Sequence, residues 1–505
     1  MGSVPNKKLA LAAAILGSSI TLLDGTIVSV ALPTIQRHLG GGLAGQQWIT
    51  SAYLLTLGSL ILIGGSLGDI FGERRIFTLG VAGFGVASLL CALAPSIGVL
   101  IAARALQGVA GALLTPSSLA VIVATFGDDE RGAAIGTWTA FGAIANVIGP
   151  LVGGELLAIA SWRWLFLINL PLVAICIALI RAAIPVSVRP SAGRRRIDFA
   201  GAALCAGGLA GVAFALIEAP RLGWANPAIE AGAAGGVALL AGFLVRERLA
   251  SDPMLPLSLF RRRNFSAANL ETFVIYGALS VFFFFLVLFL QQVGGYSPLR
   301  SGLSLLPATI ILFALSRRAG ALSGRLGPRR FMTAGPLIAA CGLLLAMRIG
   351  TSPGYLSEVL PAVAVFALGL SLTVAPLTTT VLAGIETDRA GIASATNNAL
   401  ARVAGLLATA AVGALVAAHF TAALHSRLRG VALEPAARAT VAQAQRLVIG
   451  IPGVSHLPAR QSTAIVHAAA AASLSSFRLS AGIAAVLLAL GGVVGAIWIR
   501  SPRAV

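Results

Sequence analysis

The amino-acid sequence predicts an all-α polytopic membrane protein with fourteen transmembrane helices. Three observations carry that prediction. Hydrophobic residues make up 57% of the 505 and charged residues only 10%, with a mean hydropathy of +0.93, whereas a soluble domain carries roughly 25% charged residues. Apolar stretches of about 20 residues, enough to cross about 30 Å of hydrocarbon, recur along the whole chain. Basic residues gather in alternate breaks between those stretches.

Apolar runs set against polar breaks place the spans at 9–32, 46–67, 76–94, 98–122, 132–158, 163–184, 198–218, 227–247, 266–292, 301–323, 331–349, 357–382, 390–417 and 477–499. The first follows MGSVPNKK without a small-residue cleavage site after a short core, and reads as an uncleaved helix. Twenty Lys and Arg side chains fall in one set of short inter-span and terminal segments, including Lys7, Lys8, Arg74, Arg75, Arg189, Arg194, Arg195, Arg196, Arg261, Arg262, Arg263 and Arg503. The opposite set holds five: Arg37, Arg163, Arg221, Arg300 and Arg348. The cation-rich side is cytoplasmic by this asymmetry, which places both termini there. A wrong span count would scramble the alternation. Residues 418–476 form a long outward segment, rich in alanine, expected to hold one or two short helices lying over the outer face.

The net charge of +19 belongs to this orientation pattern. No basic surface interleaved with aromatic residues appears, so nucleic acid is not an expected partner. Cys91, Cys176, Cys205 and Cys341 each stand alone in an apolar segment, without CxxC or histidine spacing, and suggest no metal or redox centre. His38, His419, His425, His456 and His467 all fall on the outward side, where solvated loop residues are the ordinary reading and pH sensing the alternative. No GxxxxGK[ST] loop is present, so ATP is not the expected energy source and no cofactor is expected.

An internal repeat orders the spans. GSLGDIFGERR at 65–75 aligns with GALSGRLGPRR at 320–330, each directly after a span on the cytoplasmic side. Paired halves are a hallmark of secondary transporters. Spans 1–6 and 9–14 then form two six-helix bundles, with spans 7 and 8 inserted between them. The corresponding domains are 1–190, 191–263 and 264–505. In the first copy Gly65 and Gly68 allow a tight helix end, and Gly72 permits a turn with positive φ. Asp69 can bind a helix N-terminus or pair with Arg74 or Arg75, forming a latch between bundles. A tight basic loop that only sets topology is the alternative.

Ionisable groups deep in a bilayer cost a few kcal/mol or more each, and are functional candidates for that reason. Nearly all of the 17 acids lie in loops or at span ends. Asp24 stands about 22 Å from the cytoplasmic end of the first span and Arg104 about 21 Å up the fourth, at matching depth. Such a carboxylate can stay ionised beside the arginine or release it and take up a proton or a cationic substrate. That alternation is what an exchanger requires; a static ion pair joining two helices is the structural alternative. Glu271 in the ninth span and Arg402 in the thirteenth, beside Asn397 and Asn398, are cavity candidates, as is Gln107, and a Glu271–Arg402 contact is open. The run Phe282–Phe285 is expected to face lipid rather than line a pocket.

These segments resemble the signatures of the major facilitator superfamily, and specifically of its fourteen-span drug:proton antiporter branch, the EmrB/QacA type. The repeat loop resembles the superfamily's loop motif. LDGTIVSVALPTI (23–35) is similar to the antiporters' first-helix signature, and RALQGVAGAL (104–113) to their proton-linked arginine motif. GAIANVIGPLVGG (142–154), carrying Gly142, Gly149, Pro150, Gly153 and Gly154, looks like the antiporter motif of exporters. SWRWLFLINLP (161–171) and QQVGGYSPLRSGLSLLP (291–307) are similar to the fourteen-span branch. The loop departs from the family at Ile70 and Glu73, where basic residues are usual, which weakens the charge relay around Asp69.

The resemblance implies proton-driven export of small amphipathic or cationic molecules, including drugs and antibiotics, by alternating access in a bacterial inner membrane. Asp24 and Arg104 would couple protons, and the glycines and Pro150 of the fifth span would form a hinge or seal, with close packing as the plainer use. The protein would act as a monomer without catalysis, and a periplasmic adaptor would enter only in a cell with an outer membrane. An uptake symporter and a non-transporting sensor on the same fold are the rival functions. A membrane-embedded enzyme would need a His, Asp or Glu cluster that the sequence lacks.

Overall fold

The computed structural model describes residues 6–184, 197–386 and 389–500. Arg189, Arg194–Arg196 and Arg503, counted above for orientation, lie outside them. The first six spans are α1 (Lys7–Leu39), α2 (Gly42–Phe71), α3 (Glu73–Leu93), α4 (Ile97–Thr125), α5 (Asp128–Ile159), and the broken pair α6 (Trp164–Leu167) and α7 (Asn169–Ala183). Next come α8 (Phe199–Leu222) and α9 (Pro227–Leu249). The last six are α10 (Arg263–Gln292), the pair α11 (Pro298–Ser304) and α12 (Leu306–Leu326), α13 (Pro328–Ala346), α14 (Leu360–Leu382), α15 (Ala390–Arg427) and α17 (Ala459–Trp498). Among the described residues, fourteen helices are long and apolar enough to cross a membrane, each broken pair making one.

Polar caps start several of these helices. Asn6 accepts from the Leu9 amide at 3.3 Å, Asp198 from Gly201 at 2.8 Å and Ser297 from Arg300 at 3.1 Å, each satisfying an orphan N–H of a first turn. In both repeat copies a glycine with positive φ turns the chain between two helices: Gly72 at 91° and Gly327 at 85°. Side chains rarely adopt that conformation, so the turn keeps its glycine.

Lipid offers no hydrophobic drive for helix association, so helices meet where small residues let backbones touch. A Cβ added at Gly64 of α2 would lie 2.0 Å from the Ala112 carbonyl of α4, and one at Gly342 of α13 would lie 2.3 Å from the Phe366 nitrogen of α14. The pattern repeats between halves. Helix α4 packs on α2 and α3 as α14 packs on α12 and α13, and α1 meets α5 as α10 meets α15. The result is two six-helix bundles plus the pair α8–α9, which reaches the rest of the molecule through α2 and α15.

Two expectations are corrected. The segment 418–476 holds a separate short helix as expected, but 28 of its 59 residues lengthen the flanking spans: α15 runs on to Arg427 and α17 begins at Ala459, giving helices of 38 and 40 residues. Alanine is the strongest helix former, and a hydropathy reading stops at the first polar residue although the helix does not. One separate helix, α16 (Pro435–Leu447), packs on α2, α15 and α17. The phenylalanine run does not face lipid: Phe282, Phe284 and Phe285 are buried, and the Phe282 ring lies 5.0 Å from that of Phe366 on α14.

The helix contact at Gly342 yields a test. Gly342→Leu forces a side chain into the α14 backbone and should cost about 1–3 kcal/mol or more, seen as a lower unfolding temperature in detergent. A substitution of Gly25, where an added Cβ meets nothing within 4 Å, should leave it unchanged.

Candidate functional site

Five helices of the first bundle bring polar side chains together around Asp24 of α1, which is fully buried. Arg104 of α4 donates from Nη1 to Asp24 Oδ2 at 2.5 Å. Gln107, one turn along α4, donates from Nε2 to Asp24 Oδ1 at 2.9 Å, and Asn169 of α7 donates to the same oxygen at 3.1 Å. Ser88 of α3 accepts from Gln107 at 2.9 Å and from Asn169 at 3.2 Å. Arg104 has further holds: Nε donates to the Ile49 carbonyl of α2 at 3.2 Å, and Nη1 to Gln107 Oε1 at 2.6 Å. Its guanidinium also lies 4.4 Å from the Tyr53 ring centroid, within cation–π range.

This is a buried ion pair whose remaining lone pairs and protons are largely met by neutral partners. Such saturation is what a buried pair requires, because desolvating two charges otherwise exceeds their attraction. Gln107, read from sequence as a cavity candidate, belongs to this cluster. Asn169, Ser88 and Tyr53 were not singled out by the sequence reading. Asn169 did carry a signal, as an amide inside an apolar span; Ser88 and Tyr53 carried none, since their spacing matches ordinary packing.

The second bundle is arranged differently. Glu271 of α10 is fully buried, and neither carboxylate oxygen has a hydrogen-bond partner among the described residues. It faces α17, where a Cβ on Gly491 would lie 3.8 Å from its Cγ. Arg402 of α15 is half-buried and faces α2, its Cβ 3.1 Å from one added at Gly58. The two therefore point to different neighbours, and among the described residues no ion pair joins them. Asn397 instead ties α15 to α10, donating to Asn269 Oδ1 at 3.1 Å and Thr272 Oγ1 at 2.7 Å. Asn398 is exposed and donates to the Ser394 carbonyl at 3.0 Å.

The glycines of α5 form its contact surface. A Cβ at Gly142 would lie 3.2 Å from Leu22, one at Gly149 only 1.9 Å from Thr26 Oγ1, and one at Gly153 3.4 Å from Ile27, all on α1. On another face, a Cβ at Gly154 would lie 2.4 Å from Leu299 Cα of α11, and one at Gly302 of α11 would lie 2.7 Å from the Pro150 carbonyl. Helix α5 is thus wedged between α1 and the second bundle, against the stretch that carries Asp24. In the repeat loop, a Cβ at Gly65 would make only an ordinary contact, 3.8 Å from the Pro116 side chain, whereas one at Gly68 would lie 2.7 Å from Glu73 Oε2. Asp69 and Arg75 are exposed and Arg74 is half-buried.

An all-helical membrane protein of two repeated bundles, with one saturated ion pair at mid-depth of the first, is built as a secondary transporter. Residues 14–409 match the family model of the Major Facilitator Superfamily, and the chain belongs to that superfamily. It is 36% identical to the puromycin resistance protein of Streptomyces alboniger, over 81% of this chain and 82% of that one. It is 34% identical to the multidrug resistance protein Stp of Mycobacterium tuberculosis, over 86% and 80%. The tetracenomycin C resistance and export protein of Streptomyces glaucescens is 34% identical over 81% and 75%. A bacterial homologue of the human lysosomal transporter Spinster, solved inward-facing, shares the fold with a TM-score of 0.65 at 17% identity, covering 99% of this chain and 100% of its own. The chain is accordingly a multi-pass protein of a bacterial cell membrane.

Asp24→Asn would leave Arg104 buried without a counter-charge and should cost about 3–5 kcal/mol. Asn169→Ala removes one neutral donor and should cost about 1 kcal/mol. Unfolding of the purified variants in detergent checks the order; equal losses would mean the charge is not what the cluster satisfies.

Proposed function

We propose that this protein exports small amphipathic molecules in exchange for protons, by alternating access, with both termini in the cytoplasm. The observation that carries this is the Asp24–Arg104 pair, buried at mid-depth with its neighbours arranged to serve two states. With Asp24 ionised, Arg104 holds it. When a proton neutralises Asp24, the amides of Gln107 and Asn169 still hold the acid, and Arg104 keeps Ile49, Gln107 and Tyr53. The neutral acid thus stays held while Arg104 loses its counter-charge, and that cost favours a rearrangement of α4 against α1. A static structural pair shares this saturation; what sets an exchanger apart is that transport depends on the Asp24 carboxylate.

Direction and substrate rest on other features. The wedge of α5 between α1 and α11 supports export, since it can seal the bundles while one side is open. Hydrogen bonds join the bundles at the end away from the termini, Gln47 to Thr409 at 2.7 Å and Gln291 to Val30 at 2.9 Å. With the termini in the cytoplasm, this conformation is closed to the outside. The resistance relatives support drug-like substrates, and Arg402, Asn397 and Asn398 on α15 are the side chains we assign to substrate contact, with Glu271 behind them. The loop of Gly65, Gly68, Asp69, Gly72, Arg74 and Arg75 would act as the latch that biases one state. The functional units are 1–190, 191–263 and 264–505. Proton entry is driven in part by the membrane potential, about 2.3 kcal/mol per charge per 100 mV.

Everted vesicles bathed in a fluorescent cation provide the test. An imposed proton gradient should drive uptake by wild type, and Asp24→Asn at matched membrane expression should lose it by about tenfold or more, over 1.4 kcal/mol of coupling. Transport with the opposite polarity would identify a symporter, and full retention in Asp24→Asn would remove the proton site from α1.

Gly149→Leu should block that transport while the protein still inserts, because any side chain there meets Thr26. Normal transport by Gly149→Leu would show that α5 has no part in the exchange.

A further inference from the structure

A groove of about 830 Å3 opens on the flank of the second bundle, between α13, α15 and α17. Its walls are apolar, with Leu344 from α13 and Leu474, Ile483 and Val486 from α17. Leu344 is 54% exposed and Val486 60%, which suits contact with hydrocarbon. Three exposed basic side chains stand at the groove's end away from the termini: His419 and Arg427 from α15, and Arg478 from α17.

Helix direction brings them together. Side chains tilt toward the N-terminus of their helix. Helix α15 rises away from the terminal end and α17 descends toward it, so Arg427 leans down and Arg478 leans up into one groove. Arg478 precedes Trp498 by about 30 Å of helix, one hydrocarbon thickness. Arg478 therefore stands at headgroup level, with Arg427, about 55 Å along α15 from Ala390, farther out, and the apolar wall runs below Arg478 into the hydrocarbon. Among the described residues neither arginine is ion-paired; Arg427 donates to the Ala423 carbonyl of its own helix at 3.1 Å. No Asp or Glu lines the groove, so it offers nothing to the ammonium of a zwitterionic headgroup.

We propose that this groove binds one anionic phospholipid of the leaflet at that end of the protein. Its headgroup lies between Arg478 and His419, with Arg427 adding charge from above, and an acyl chain lies along Leu474, Ile483 and Val486. The site is on the flank of the second bundle, separate from the Asp24 cluster of the first, and stands whether or not that cluster couples protons.

The test is native mass spectrometry of the full chain released from nanodiscs holding equal phosphatidylglycerol and phosphatidylcholine of the same acyl chains. Wild type should retain a phosphatidylglycerol adduct in preference to phosphatidylcholine. Arg427→Gln with Arg478→Gln should lower that adduct about 30-fold, the share of two basic groups at an anionic surface. Gly482→Phe keeps both arginines and fills the groove floor. The fold accepts it, since an added Cβ meets only the Met347 side chain at 3.8 Å, and the adduct should fall there too. Equal retention of both lipids by wild type, or an unchanged adduct in either variant, overturns the proposal. Displacement of the adduct by millimolar glycerol 3-phosphate would also overturn it, in favour of a site for free phosphate esters.

Discussion

The cost of holding charge inside a bilayer governs this structure. An arginine and an aspartate at mid-depth are tolerable only if each is paired and each remaining donor or acceptor is met. That requirement reaches well beyond the two residues. It fixes Gln107 one turn from Arg104, places Ser88 where two amides can donate to it, and breaks the sixth span between α6 and α7 just where Asn169 enters the cluster. Five helices must arrive at defined positions for the pair to be stable, so the first bundle is positioned by its polar centre as much as by its apolar surface.

Those helices can arrive only because small residues let them approach. The contacts of α2 with α4 and of α13 with α14 are glycine-to-backbone contacts in which a methyl group would collide, and at the contact of α5 with α1 a Cβ on Gly149 would collide with the Thr26 hydroxyl. Close packing of this kind is discrete: two surfaces either fit or separate. The α5 surface is notable in having glycine contacts on two faces, one toward its own bundle and one toward α11. A helix that fits both bundles this tightly can shift only as a rigid body, which is the movement that alternating access requires.

Much of the fold was legible in the sequence, because a membrane span is announced by length and hydropathy alone. The repeat was legible for a related reason. Gly72 and Gly327 both take positive φ, a conformation that leaves few alternatives to glycine and so marks the same turn twice. Asp24 and Arg104 could be matched because helix rise converts residue number into depth. Rotation about the helix axis could not be read the same way. Depth allowed Glu271 and Arg402 to meet, yet one faces α17 and the other α2. The same limit sent Phe282–Phe285 to lipid when their faces are turned inward. The extensions of α15 and α17 into 418–476 escaped for a different reason, since alanine-rich helix outside the membrane carries no hydropathy signal although its helix propensity is high.

The two bundles end in opposite electrostatic conditions, and the contrast bears on how a gradient can be converted into transport. In the first, neutral donors and acceptors surround the ion pair, yet Asp24 is the counter-charge of Arg104, so neutralising that one carboxylate changes the energy of the whole cluster. In the second, Glu271 is buried with both oxygens unmet, and Arg402 stands half-buried without an ion-pair partner among the described residues. An unmet polar group in low dielectric is where a ligand gains most by binding, because it supplies a contact the protein lacks. A saturated site suits the driving ion, which must come and go cheaply. An unsaturated one suits a variable cargo, which must be held by whatever it brings. In the exchange proposed above, separating the two between repeat halves would let one structure respond to a fixed ion while accepting substrates of differing shape.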